Sequence, residues 1–104
     1  MRLIMKQTLL LLSGLLCDES FWTDIPQRLS AVAQVSVVSF RDFSSIPAMA
    51  QHVLRIAPDR FALAGHSMGG RVALEVMRAE PKRVTGLALL NTRSEEHTSE
   101  LQSP

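Results

Sequence analysis

Apolar residues along this chain fall in short blocks that switch between strand-like and helix-like spacing. Thr8 to Leu12 is a continuous apolar run, the pattern of a strand buried on both faces, and Ser13 to Asp18 reads as a loop. From Phe21 to Ala31 the spacing turns helical, with a stripe of Trp22, Ile25, Leu29 and Val32. Gln34 to Phe40 is strand-like again through Val35, Val37, Val38 and Phe40. Ser45 to Ala57 predicts a second helix, capped by Ser44 or Ser45, with Pro47 in its first turn and Met49, Val53 and Leu54 turned inward. A short strand is expected over 60–64. A helix over 70–80 follows, with Val72, Ala73, Val76 and Met77 on one face and Pro81 as its stop. Val84 to Leu90 is the last apolar strand. Four strands alternating with three helices predict an α/β fold: a parallel, doubly wound sheet with helices on both faces.

Between the third strand and the third helix stands Gly65-His66-Ser67-Met68-Gly69, which fits G-x-S-x-G. Strand, turn and helix in that order are the context in which this motif presents a nucleophilic serine. A serine hydroxyl is a weak nucleophile until it is exposed, oriented and paired with a base. A sharp turn exposes it, and Gly65 and Gly69 omit the Cβ atoms that would collide across that turn. The helix beyond aims its free N–H groups and positive dipole end at the place where an oxyanion would form. The same letters also suit a turn that only packs, or one that binds phosphate. Against phosphate, neither G-x-x-x-x-G-K-[ST] nor G-x-G-x-x-G is present.

The two ends of the chain change the picture. Arg93 to Pro104 turns abruptly polar, and Arg93 to Ser103 resembles, codon by codon, the in-frame translation of a common sequencing-library adapter. Residues 93–104 are therefore read as a non-native tail, and His97 is not recruited as a catalytic histidine. Residues 1–92 are read as the N-terminal part of one domain. Setting aside the tail's one arginine and three glutamates moves the formal net charge from +1 to +3. The remaining basic residues, such as Arg28, Arg55 and Arg71, are scattered without aromatic interleaving, which argues against nucleic acid as a partner. At the other end, Arg2, Lys6 and Leu9 to Leu12 mimic a secretory leader. No small-x-small cleavage site follows, and the run is too short to span a membrane, so a buried strand is the favoured reading. The single cysteine, Cys17, excludes an internal disulfide and fits a reducing, cytoplasmic compartment.

Leu9-Leu10-Leu11-Leu12-Ser13-Gly14-Leu15-Leu16-Cys17-Asp18, Phe21-Trp22 and Gly65-His66-Ser67-Met68-Gly69-Gly70 together resemble the N-terminal part of the α/β-hydrolase superfamily, in the manner of small single-domain esterases. The resemblance covers residues 7–92. It implies a truncated α/β-hydrolase fold with Ser67 as nucleophile, and with the backbone N–H groups of Leu15 and Met68 as oxyanion donors. The substrate it implies is a small-molecule ester, cleaved through an acyl-enzyme without a cofactor. Ser13 stands where the family usually has histidine, and its hydroxyl is expected to bond a local backbone group instead. Phe21 and Trp22 are expected to staple the first helix to the sheet.

A triad also needs a base, and an acid to orient it, in the chain order serine, acid, histidine. Between Ser67 and Thr92 only Glu75 and Glu80 are acidic, both on the following helix, and no histidine occurs. His66 should diverge from the hydroxyl, being its neighbour in the chain, and His52 lies on the second helix. No cluster has metal-ligand spacing. The catalytic machinery is thus incomplete in residues 1–92, and Val84–Leu90 is expected to form an apolar sheet edge prone to association. Perhydrolysis, acyl transfer or lyase chemistry on the same fold, a non-catalytic remnant, and a secreted binding protein stand as alternatives.

Overall fold

A computed structural model describes residues 6–14 and 22–90. The elements follow the expected alternation: β1 (Gln7–Leu12), α1 (Ile25–Leu29), β2 (Ala33–Val38), α2 (Ile46–Ile56), β3 (Phe61–His66), α3 (Met68–Ala79), a 3₁₀ turn (Pro81–Arg83) and β4 (Val84–Leu90). The strands form one sheet in the order β2-β1-β3-β4, and every pairing is parallel. From β1 the chain steps to one side to make β2, then returns across β1 to make β3. Right-handed crossovers therefore place α1 on the opposite face from α2 and α3. Open α/β sheets bind ligands at such a reversal, which here falls at the carboxyl ends of β1 and β3.

The leucine run of β1 is uninterrupted because both of its faces are covered. Leu10 and Leu12 join Val38, Phe61 and Leu63 beneath α2 and α3, which contribute Met49, Ala50, Val53, Val72, Ala73 and Val76. Leu11 points the other way, into a smaller cluster with Ala64 and Trp22. Ser45 caps α2, its hydroxyl accepting the Ala48 N–H at 3.2 Å. β4 is an edge strand on which Leu87, Leu89 and Leu90 remain 37, 38 and 41% exposed.

One element is much shorter than its pattern predicts. α1 is five residues long and contributes no buried side chain. Ile25 and Val32 of the expected stripe are 37% and 68% exposed, and only Trp22, in the turn before the helix, is buried. Asp24 makes no side-chain cap, and a single turn has too few internal bonds to be stable by itself. Trp22 rather than a helical face therefore anchors this segment. Phe21 lies outside the described residues.

Arg83 ties the end of α2 to the start of β4. Its Nη2 donates to the carbonyls of Leu54 at 3.3 Å, Ala57 at 3.1 Å and Pro58 at 2.9 Å, and its Nε donates to Asp59 at 3.3 Å. The guanidinium also lies 5.3 Å from the centre of the Phe61 ring. It satisfies carbonyls that the helix end leaves open and sits at the negative end of the helix dipole. Arg83→Ala is expected to cost on the order of 2 kcal/mol, read as a lower urea midpoint at unchanged slope. Arg83→Lys should lose most of the same amount, because an ammonium keeps the charge but not the planar fork.

Candidate active site

Ser67 sits between the last residue of β3 and the first of α3, with φ 58° and ψ −118°. Among the described residues it is the one non-glycine with positive φ. An L side chain in that region is strained by roughly 1–3 kcal/mol, so the surrounding structure must impose it. Several contacts do so. The Ser67 N–H donates to the Leu90 carbonyl at 3.0 Å, which extends the β3–β4 ladder into the turn. The Ser67 carbonyl accepts the Gly70 N–H at 2.9 Å, which starts the helix. The side chain is exposed and does not cap α3.

The two glycines of the turn are needed for close approach. A Cβ on Gly65 would lie 2.6 Å from Gly70 Cα, and one on Gly69 would lie 2.6 Å from the carbonyl carbon of Leu12. The turn is therefore folded tightly on itself and pressed against the end of β1. Met68 opens α3, so its N–H is one of those for which the helix supplies no acceptor, while its side chain packs on the core. At this point backbone donors and an exposed hydroxyl share the carboxyl end of the sheet.

The end of β1 comes to the same place. A Cβ on Gly14 would lie 3.2 Å from Ser67 Cβ and 3.1 Å from the His66 carbonyl oxygen. The Ser13 N–H donates to the Val38 carbonyl at 3.1 Å, and Ser13 is fully buried. Among the described residues its hydroxyl has a distant partner and not the local backbone group expected: it accepts the Trp22 indole N–H at 3.3 Å. Nine positions separate the two residues, so neither spacing nor propensity signals this pair. Leu15, expected as an oxyanion donor, lies outside the described residues, as do Cys17 and His97.

The other titratable candidates lie on contacts of their own. Glu75 pairs with Arg78 at 3.5 Å, and Glu80 with Arg83 at 3.9 Å. His52 stacks on Phe43 with ring centres 4.8 Å apart. His66 is half-buried, and its Nδ1 would lie 3.5 Å from a Cβ on Gly14. Among the described residues no His/Cys/Asp/Glu group could hold a metal ion, and no helix is long and apolar enough to cross a membrane. A depression of about 690 Å³ lined by Lys6, Thr8, Asp59, Arg60 and Thr85 lies at the opposite end of the sheet, away from Ser67.

No family model matches the chain. Over 87 residues it is 36% identical to a pimeloyl-(acyl-carrier protein) methyl ester esterase of Citrobacter koseri, a match covering 76% of this chain and 34% of that protein. A solved membrane phospholipase A superposes with a TM-score of 0.76 at 26% identity, over 86% of this chain and 33% of its own. An extracellular alpha/beta-hydrolase from a Paenibacillus species superposes with a TM-score of 0.67 at 18% identity, over 85% of this chain and 41% of its own. The chain spans about a third of the length of the curated relatives it matches.

Proposed function

We propose that this chain, which carries part of an α/β-hydrolase fold, comes from a serine hydrolase that cleaves carboxylic esters with Ser67 as its nucleophile. The observation that carries this reading is the left-handed backbone of an exposed serine, held between β3 and α3 by two glycines that admit no Cβ. A turn that only packs has no reason to spend strain on presenting a hydroxyl.

In the proposed reaction Ser67 Oγ attacks the ester carbonyl while its proton passes to a base. The tetrahedral oxyanion forms against the N–H of Met68, at the positive end of α3. The N–H of Leu15, the residue after Gly14, is the proposed second donor. The alcohol leaves with the proton, and water then cleaves the acyl-enzyme and restores Ser67. No cofactor takes part. The base and its orienting acid are proposed to come from beyond residue 92, in the order acid then histidine, because Glu75 and Glu80 are engaged elsewhere. Residues 1–92 are accordingly the proposed native part and 93–104 a foreign tail. The similar methyl ester esterase makes a small carboxylic methyl ester the first substrate to assay. The lone cysteine fits a cytoplasmic enzyme.

The test is a fluorophosphonate probe on the full-length protein, expressed from the gene reread through codon 92. One adduct on the peptide containing Ser67 is expected. An ester-cleaving protein that carries the adduct on another residue, or none, removes Ser67 from the mechanism.

A further inference from the structure

We infer that Trp22 and Ser13 form a clasp that sets the position of the Gly14 backbone against Ser67, which makes Trp22 a positioning residue for the reaction. The inference rests on the proposed serine chemistry.

Three contacts converge on the dipeptide Ser13-Gly14. Its first N–H is tied to the end of β2 through the Val38 carbonyl. Its first carbonyl lies where a Cβ on Gly69 would come within 2.8 Å of it, directly under the start of α3. Its second residue faces Ser67 Cβ and the His66 carbonyl. Those contacts hold the backbone from the sheet side and from the helix side. The remaining side is held by the Ser13 hydroxyl, which is fully buried and accepts the Trp22 indole N–H at 3.3 Å. Trp22 is itself 3% exposed and wedged against Leu11 and Ala64, two strand residues on adjacent, paired strands. The indole thus transmits the position of the rigid sheet to the residue just before Gly14.

A hydroxyl rather than an imidazole at position 13 suits this geometry. The indole N–H is a donor only, so its buried partner must accept, and a serine oxygen accepts in any rotation of its own proton. Removing the acceptor leaves a buried donor unsatisfied and frees the Ser13-Gly14 backbone to shift. A displacement of that kind affects the transition state more than the bound substrate, because oxyanion donors bond most strongly to the developing charge.

The experiment uses the full-length protein with p-nitrophenyl butyrate as substrate. Ser13→Ala and Trp22→Phe are each expected to lower kcat roughly 10- to 100-fold with KM within about twofold, the scale of a misplaced catalytic group. Ser13→Thr, which keeps the hydroxyl, should recover most of the loss. Arg83→Ala supplies a control that is destabilised but keeps its kcat. The indole N–H resonance deleted by Trp22→Phe should exchange slowly with solvent in the wild type and faster in Ser13→Ala. An active wild type whose Ser13→Ala variant keeps its kcat, or whose Ser13→Thr variant fails to recover it, overturns the clasp alone. A wild type that neither cleaves the ester nor takes a fluorophosphonate at Ser67 overturns the serine-hydrolase reading instead.

Discussion

Ser67→Gly is expected to abolish ester cleavage while making the protein more stable. The two effects have one origin. At φ 58° and ψ −118° the serine occupies backbone space that only glycine enters without strain. Relieving it should raise the unfolding free energy by about 1 kcal/mol, after allowing for glycine's greater freedom in the unfolded chain. Ser67→Ala removes the hydroxyl but keeps the Cβ, so it should lose the activity and gain little stability. For both variants the fall in kcat is expected to exceed ~10³-fold, since no covalent intermediate can form. Paired urea melts and rate measurements check this. A Ser67→Gly protein no more stable than Ser67→Ala would mean that the turn stores no strain. Either variant retaining its rate would mean that another group does the chemistry.

Gly69→Ala is expected to destabilise the protein by at least about 3 kcal/mol, a large share of the stability of an ordinary domain. The added carbon would lie 2.6 Å from the carbonyl carbon of Leu12 and 2.8 Å from the Ser13 carbonyl oxygen. Both obstacles are backbone at the end of a central strand, so neither can swing aside as a side chain would. α3 would have to lift off β1, taking Val72 and Val76 out of the core and the Met68 N–H away from Ser67. Gly86→Ala is the matched control. A Cβ there meets only Ala62 Cβ, at 3.8 Å, and the change should cost under ~0.5 kcal/mol. Equal denaturation midpoints for the two variants would show that α3 does not press on β1 as described.

Much of the fold was legible because periodic patterns long enough to span an element leave few alternatives. Val84–Leu90 is the strand expected, and α2 lies one residue inside its predicted limits at each end, closed by the Ser45 cap and held by Met49 and Val53. The helix expected over 21–31 shrank to Ile25–Leu29, since spacing shows where a stripe falls but not whether a surface exists to bury it. β3 instead ran two residues further than expected, to His66. Pairing with β4 carries the ladder into the motif itself, and a partner strand is invisible to a local reading.

At the site the same division holds. The alternation of strands and helices, the glycine-flanked serine and the absence of a base between Ser67 and Thr92 are properties of residue order, and the sequence alone determined them. Local sterics and hydrophobic period suffice for each. The order β2-β1-β3-β4, the meeting of Gly14 with Ser67, the burial of Gly69 under Leu12 and the Ser13–Trp22 bond were decided only by tertiary structure. Each joins residues from separate elements, and which surfaces meet depends on how the whole sheet buries its two faces at once.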